Sequence, residues 1–240
     1  MDLDGTGVAT LFLLNPTGGV LGGDDLDTAV ELGPGSHVCL STPSATRVYR
    51  SSGAPSTVRT TLRVGDGARL EYVPDHVILS PGARLAQRLD VELAPGASAI
   101  ISDAWAAGRV ARGEAWRFDL LDSGITARDP EGLLFKDRLV LQGTAGWGGL
   151  GGTEGMAYVV TVLCLAPAHQ ALADLERAIA GILAAPTGEG TVAVTALSRG
   201  GVVARILAAT APAMQSLIAR TWAACRAELW ALPPQRLRKM

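Results

Sequence analysis

The sequence predicts a mainly β protein, built as a helically coiled two-layer β-sheet similar to a β-solenoid, with two α-helices in its C-terminal third. Three observations indicate this class: alternating apolar and polar residues, a recurring glycine turn, and a change to helical spacing near residue 166. The chain has 240 residues, of which 48% are hydrophobic and 18% charged. Such a length and composition suit a folded core. We expect residues 1–240 to form one domain.

Alternation is clearest between residues 8 and 165, where we expect mostly strands. Apolar side chains at 89, 91 and 93 alternate with Asp90, Glu92 and Ala94, and residues 58–64 follow the same pattern. This period of two is typical of strands that bury one face.

A tight turn with glycine at its end recurs inside this region. The glycines are Gly35, Gly67 and Gly96, so that the spacings are 32 and 29 residues. Repeated strand–turn–strand units at one spacing indicate stacked β coils. The alternative is that such turns recur by chance, as they can in any β protein.

Helical spacing replaces this alternation in the last third, 166–240, which we expect to hold two helices flanking two strands. The first helix is predicted to follow Pro167 and to include Ala168 and Leu183. Strands are predicted at 191–197 and 201–208, and a second helix from about Ala213. Its buried stripe contains Met214, Leu217, Ile218, Cys225 and Leu229.

Composition also restricts the compartment and the partners. The formal net charge of −2 argues against an electrostatically driven nucleic-acid binder. Three widely spaced cysteines form no disulfide framework and suit a reducing compartment. The first residues are acidic and lack the features of a secretory signal, and the apolar segment 156–168 is too short to span a membrane. The sequence predicts a cytoplasmic protein without a membrane or nucleic-acid partner.

Catalytic motifs are mostly missing. The sequence contains no phosphate-binding G-x-x-x-x-G-K-[ST] loop, no H-E-x-x-H and no paired C-x-x-C. Residues 146–151 match G-x-G-x-x-G, but a strand-like segment follows them where a dinucleotide site requires a helix. We therefore expect a protein that is not an enzyme. The alternative is a β-rich hydrolase or lyase that uses Asp75, His76 and Glu114.

Metal ligands are sparse as well. His37 and Cys39 are two residues apart on a predicted strand, so both side chains point to one face. They could supply two ligands to nickel or zinc, but no further ligand lies nearby in the sequence. A small core hydrophobe is the favoured interpretation of Cys39.

Residues 15–25 form an unusual glycine-rich segment. Two Gly-Gly pairs are closed by two carboxylates, and the four glycines are Gly18, Gly19, Gly22 and Gly23. Glycine pairs are common where the backbone needs positive φ or very close approach. We expect another part of the chain to pack tightly against this loop.

This segment resembles the glycine-rich motif of the urease accessory protein UreD family, called UreH in some lineages. Further blocks match in the same order, and the first of them contains Arg47 and Tyr49. These blocks are 42–50, 71–75 with 81–83, and 108–109 with 113–114, followed by weaker matches at 137–138 and 201–205.

The resemblance implies a scaffold in urease maturation. UreD-like proteins bind a UreF-like protein and through it a UreG-like GTPase, while docking onto the urease apoprotein. The assembly delivers nickel as the GTPase hydrolyses GTP. The family fold, a coiled two-layer sheet with two helices, agrees with the pattern of this sequence. The resemblance implies no catalysis by the chain itself and no tightly bound cofactor, only transient Ni²⁺.

The resemblance also implies a polar, water-accessible route for nickel through the protein. Asp24, Thr46, Asp103 and Asp137 occupy motif positions where polar or acidic side chains are expected. Hard oxygen ligands suit Ni²⁺ that must be passed on, because they bind it more weakly than a closed thiolate site. The alternative for each residue is turn capping or an ordinary surface carboxylate.

One feature departs from the family pattern. Family members usually carry further strands before the glycine motif, which this sequence lacks. Either the start of the sequence is misassigned or these strands are absent, and in the second case we expect an exposed sheet edge. A different-class alternative remains a β-solenoid assembly module that binds no metal.

Overall fold

The computed structural model describes residues 5–142, 146–169, 172–183, 190–235 and 237. These ranges contain fourteen strands, two α-helices and a short 3₁₀ helix. The strands are β1 Ala9–Phe12, β2 Asp25–Leu32, β3 His37–Ser41, β4 Thr46–Val48, β5 Ser56–Val64, β6 Arg69–Tyr72, β7 Val77–Leu79, β8 Arg84–Leu93, β9 Ser98–Ala106, β10 Leu120–Asp129, β11 Gly132–Gln142, β12 Tyr158–Leu165, β13 Gly190–Ala196 and β14 Gly201–Ala208. The helices are α1 Leu172–Leu183 and α2 Ala211–Trp230, and the 3₁₀ helix is Val110–Arg112.

Two sheets make the layers of the fold. Sheet A has the order β1-β3-β6-β9-β12-β14-β13, and β4 and β7 extend it beside β9. Sheet B has the order β11-β10-β8-β5-β2. Strands of successive coils are parallel in both sheets, as in the pairs β2–β5, β5–β8, β3–β6 and β6–β9. The prediction of a coiled, two-layer, mainly β fold with two C-terminal helices is confirmed.

The register of the parallel strands equals the spacing of the glycine turns. Asp25 lies opposite Thr57 in the β2–β5 pair, an offset of 32, and Ser56 lies opposite Leu85 in β5–β8, an offset of 29. The turns stack as well, because the N–H of Gly35 donates to Asp66 O at 2.8 Å and that of Gly67 donates to Pro95 O at 2.9 Å. Both glycines have positive φ, +67° and +61°. The recurring turn is therefore a structural repeat.

The helices pack on each other and on the face of sheet A that points away from sheet B, against β12 and β14. Ala168, predicted to be helical, instead lies in a turn before α1. Helix α2 begins at Ala211, two residues before the predicted start, because Thr210 caps it: the Thr210 side chain accepts a hydrogen bond from the N–H of Ala213. Neither described helix is long and apolar enough to cross a membrane.

A polar layer divides the core between the two sheets. Along β8, Leu85 and Leu89 belong to different hydrophobic clusters, and Gln87 points inward between them. The same apolar–polar–apolar order occurs where Ser123 and Asp103 separate the clusters on β10 and β9. We define the polar layer as Thr28, Thr60, Gln87, Ser123 and Asp137 of sheet B with Tyr72, Asp103, Thr161 and Arg205 of sheet A.

Candidate functional site

A cavity of about 640 Å³ opens beside the glycine-rich loop and extends between the sheets to the polar layer. Residues of the loop and of β4 form its mouth, and polar side chains of both sheets line its interior. The lining includes Asn15, Gly18, Asp25, Thr28, Thr46, Thr60, Tyr72, Asp75, Gln87 and Asp103. We call it the inter-sheet cavity.

The glycine loop packs tightly against β4 and the residues after it, as the sequence predicts. A Cβ on Gly19 would lie 2.5 Å from Arg47 O, and one on Gly22 would lie 2.8 Å from Ser51 Cα. Hydrogen bonds hold the two segments together: the N–H of Val20 donates to Arg47 O at 2.7 Å, and the N–H of Tyr49 donates to Val20 O at 2.9 Å. Any side chain at Gly19 or Gly22 would push the loop away from this segment.

Asp24 lies at the end of this loop but does not line the cavity. Its Oδ2 accepts a hydrogen bond from the N–H of Leu21 at 2.8 Å, so the carboxylate caps the turn of its own loop. The adjacent Asp25 does line the cavity and pairs with Arg59 at 2.6 Å. The structure thus brings Thr46 and Asp103 to one cavity and places Asp24 beside it.

Asp103 is the carboxylate at the inner end of the cavity. It accepts a hydrogen bond from Gln87 Nε2 at 2.8 Å, and the same amide donates to Ser123 Oγ at 3.3 Å. Burial between the sheets raises the pKa of Asp103 to about 6, although its hydrogen bonds to Gln87 and Ser123 oppose this shift. Asp103 therefore keeps its proton to a higher pH than an exposed aspartate does.

Asp137 faces Asp103 from the other sheet and is held by Arg205. The Arg205 Nη1 atom pairs with Asp137 Oδ2 at 2.8 Å and donates to Thr161 Oγ1 at 3.1 Å. The negative charge of Asp137 raises the pKa of Asp103 further, whereas the charge of Arg205 lowers it. The side chain of Asp137 is 32% exposed, so this end of the polar layer reaches solvent.

Most residues of the polar layer are not predicted from the sequence. Thr28, Thr60 and Gln87 occupy inward positions of strands whose inward neighbours are apolar. A polar residue that interrupts the buried half of an alternating strand is the signal that could have found them. Tyr72 carries a second sign of burial, because desolvation, with the nearby charge of Asp103, raises its pKa to about 12.

The residues of the enzyme alternative do not meet in one site. Asp75 lines the inter-sheet cavity, whereas the next residue, His76, lines a second pocket on the other side of the strand layer. The ring of His76 contacts Tyr158 edge to face at 5.8 Å between centroids. Glu114 pairs with Arg109 through two hydrogen bonds of 2.5 and 2.9 Å.

The weak metal candidates lie under helix α2. Nε2 of His37 is 2.8 Å from Oε1 of Glu71, and Cys39 is fully buried in the core. Glu71 also accepts from Trp222 Nε1 at 2.6 Å and Arg226 Nη1 at 3.2 Å. No group of three or more His, Cys, Asp or Glu able to hold a metal occurs within the described ranges. Here His37 contributes to a buried hydrogen-bond network that attaches the helix to the sheet.

Strand β4 separates the inter-sheet cavity from the second pocket. Thr46 and Val48 point to the cavity, and the alternate residues Arg47 and Tyr49 point to the pocket. That pocket also has a volume of about 640 Å³.

Comparison with known proteins agrees with the motif resemblance. The model of the family described as UreD urease accessory protein matches residues 1–239. The urease accessory protein UreD of Haloarcula marismortui is 37% identical over 235 residues, which cover 96% of this chain and 77% of that protein. UreD of Paracidovorax citrulli is 35% identical, covering 98% and 86%, and UreD of Delftia acidovorans is 48% identical over 113 residues, covering 47% and 37%. The chain therefore belongs to the UreD family of urease accessory proteins.

Proposed function

We propose that this chain acts in urease maturation as a scaffold that helps to deliver nickel to the urease active site. Membership of the urease accessory protein family supports a role in urease maturation. In the finer proposal the chain bridges the urease apoprotein to a UreF-like protein and a UreG-like GTPase. It works in the cytoplasm, takes up Ni²⁺ only transiently and catalyses no reaction itself.

The polar layer is the observation that carries the nickel part of this proposal. The inter-sheet cavity extends from Thr46 at its mouth to Asp103, and the polar layer continues from Asp103 to Asp137, which is partly exposed. Hydroxyl and carboxylate oxygens are found there, and no thiolate lines the cavity among the described residues. Oxygen ligands alone hold Ni²⁺ less tightly than imidazole or thiolate, which suits a route better than a store.

Arg205 would gate the far end of such a route. Its guanidinium neutralises Asp137 in the present arrangement and contacts the ring of Phe135 at 5.8 Å. A divalent cation that reaches Asp137 competes with Arg205 for the same carboxylate, and the displaced guanidinium can remain over the aromatic face. While no metal is bound, the ion pair with Arg205 compensates the negative charge of Asp137.

The test is urease activation reconstituted from the apoprotein, the UreF-like and UreG-like proteins, GTP, Ni²⁺ and this chain. We expect Asp103→Ala to slow activation by about tenfold or more, since a lost charge-assisted contact is worth over 1.4 kcal/mol. Formation of the complex, followed by size-exclusion chromatography, should be unchanged. Glu92→Ala is the matched control, because this carboxylate lies on the outer face of sheet B, where it pairs with Arg63 at 3.1 Å.

Two results would separate the parts of the proposal. Full activation with Asp103→Ala and with Asp137→Ala removes the polar layer from nickel delivery but leaves the scaffold role. A wild-type chain that forms no complex with either accessory protein, while urease activates normally without it, removes the scaffold role.

A further inference from the structure

The second pocket has a basic rim around an apolar floor. Four arginines stand at the rim, Arg47, Arg50, Arg109 and Arg112, and all four are exposed. We call it the arginine pocket. Its position is set by β4 on one side and by the 3₁₀ helix Val110–Arg112 on the other.

Most of this positive charge is not compensated. Within the described residues, Arg47, Arg50 and Arg112 take part in no ion pair, and Glu114 neutralises only Arg109. Helix α2 adds to the field, since Ala211 at its first turn lines the pocket and a helix N-terminus carries partial positive charge. This concentration of cations is unusual in a chain whose formal net charge is −2.

The floor of the pocket is apolar and aromatic. Ile78, Ala106 and Val110 contribute aliphatic surface, and the rings of His76 and Tyr158, in edge-to-face contact, form one wall. His76 and Tyr158 are each 8% exposed, and Ala106 is 1% exposed. An apolar side chain of a bound ligand could therefore bury its surface on this floor.

We propose that the arginine pocket docks an acidic segment of a partner protein, with one apolar side chain on the floor and aspartate or glutamate side chains against the rim. Guanidinium groups bind carboxylates through paired hydrogen bonds. Arginine and tyrosine also dominate the energy of protein interfaces, and Tyr49 stands at the rim at 36% exposure. A small phosphate ligand fits less well, because the cations are spread around an open mouth and do not converge on a buried point.

The inference rests on the proposed scaffold role and adds a surface to it. The same loop that lines the mouth of the inter-sheet cavity is packed against the pocket, since a Cβ on Gly19 would lie 2.7 Å from the Tyr49 ring. A segment docked on Arg47 and Tyr49 therefore sits directly behind the cavity mouth, separated from it by β4.

The test uses the full chain and a fluorescently labelled peptide of aspartate and glutamate residues around one central phenylalanine. We expect saturable binding that weakens as salt is added. The double variant Arg47→Glu with Arg112→Glu should weaken binding about tenfold or more, because like charges replace attractive ones. Replacing the peptide phenylalanine by serine should also weaken binding. Arg128→Glu is the matched control, an exposed arginine of β10 outside the pocket.

Unchanged affinity in the double variant, or equal binding of a lysine-containing peptide of the same length, would overturn the proposal. Pyrophosphate that binds more tightly than the peptide would assign the pocket to a small oxyanion instead. The milder pair Arg47→Gln with Arg112→Gln, checked by circular dichroism, distinguishes lost docking from lost folding. Peptide binding involves no nickel or urease, so its failure leaves the activation result above untouched.

Discussion

At the scale of single residues, Asp103 shows how packing changes the chemistry of a common side chain. Its sequence context, a strand of mostly apolar residues, is ordinary for a β protein. Only its position between two sheets, with Asp137 facing it, raises its pKa to about 6 from the usual 3.8. The hydrogen bonds to Gln87 and Ser123 favour the ionised carboxyl and offset only part of this rise in pKa.

This pKa shift predicts an unusual dependence of stability on pH. Between pH 3.8 and about 6 the native Asp103 holds a proton that the unfolded chain has released, so the free energy of unfolding falls as pH rises through this window. Asp103→Asn cannot ionise, so we expect this variant to gain stability relative to wild type as the pH rises through this window, by up to about 3 kcal/mol at about 1.4 kcal/mol for each unit of pKa shift. Urea unfolding in metal-free buffer at several pH values measures both profiles.

The control for this prediction is Asp119→Asn, which removes an exposed carboxylate outside the polar layer. Its stability should follow the wild-type pH profile. A parallel profile for Asp103→Asn would show that the carboxyl stays as solvated in the folded chain as in the unfolded one.

At the scale of elements, the attachment of helix α2 depends on a buried ion pair. Glu71 of β6 and Arg226 of α2 are both fully buried, and Arg226 also donates to Gln235 at 2.5 Å. Gln235 Nε2 in turn donates to Thr10 Oγ1 at 3.1 Å, which connects the segment after α2 to β1. The network joins three elements that are far apart in sequence.

Replacing one partner of this pair should destabilise the fold strongly. Glu71→Gln leaves Arg226 charged and buried, which costs about 3–5 kcal/mol. The matched control is Glu31→Gln, which breaks an exposed pair with Arg63 of 2.9 Å and costs less than about 1 kcal/mol. Chemical denaturation of the two variants gives both free energies, and equal losses would show that the buried pair does not hold the helix.

The glycine loop is the second element whose packing can be tested. Gly22→Val places a branched side chain 2.8 Å from the Cα of Ser51, so the loop must move away from the segment after β4. We expect a loss of about 1–3 kcal/mol in thermal or chemical unfolding. Gly53→Val adds the same side chain where no atom lies within 4 Å and should change little. A harmless Gly22→Val would mean that the loop is held loosely.

At the scale of the whole molecule, strand β4 separates two cavities that are lined by different residues. Thr46 and Arg47 are neighbours in sequence, yet Thr46 faces the inter-sheet cavity and Arg47 faces the arginine pocket. The same separation divides Asp75 from His76, so these two residues of the hydrolase or lyase alternative do not line a common cavity. Alternation along a strand predicts this division, but not what lies on either side of it.

The architecture of the chain can be predicted from local patterns in the sequence. Strand alternation, glycines at 35, 67 and 96, and the late helical spacing are local patterns, and local backbone preferences act between neighbouring residues. The offsets of 32 and 29 between these glycines even equal the strand register. The motif blocks identified the family, again from short contiguous segments.

Contacts between side chains that are distant in sequence depend on the tertiary structure. Glu71 and Arg226 are 155 residues apart, and Asp137 and Arg205 lie on opposite sheets. Their pairing depends on how the sheets and helices stack, and no periodicity along the chain encodes that distance. For the same reason the sequence could indicate Asp103 and Asp137 as candidates, while their shared polar layer and the arginine pocket required the folded chain.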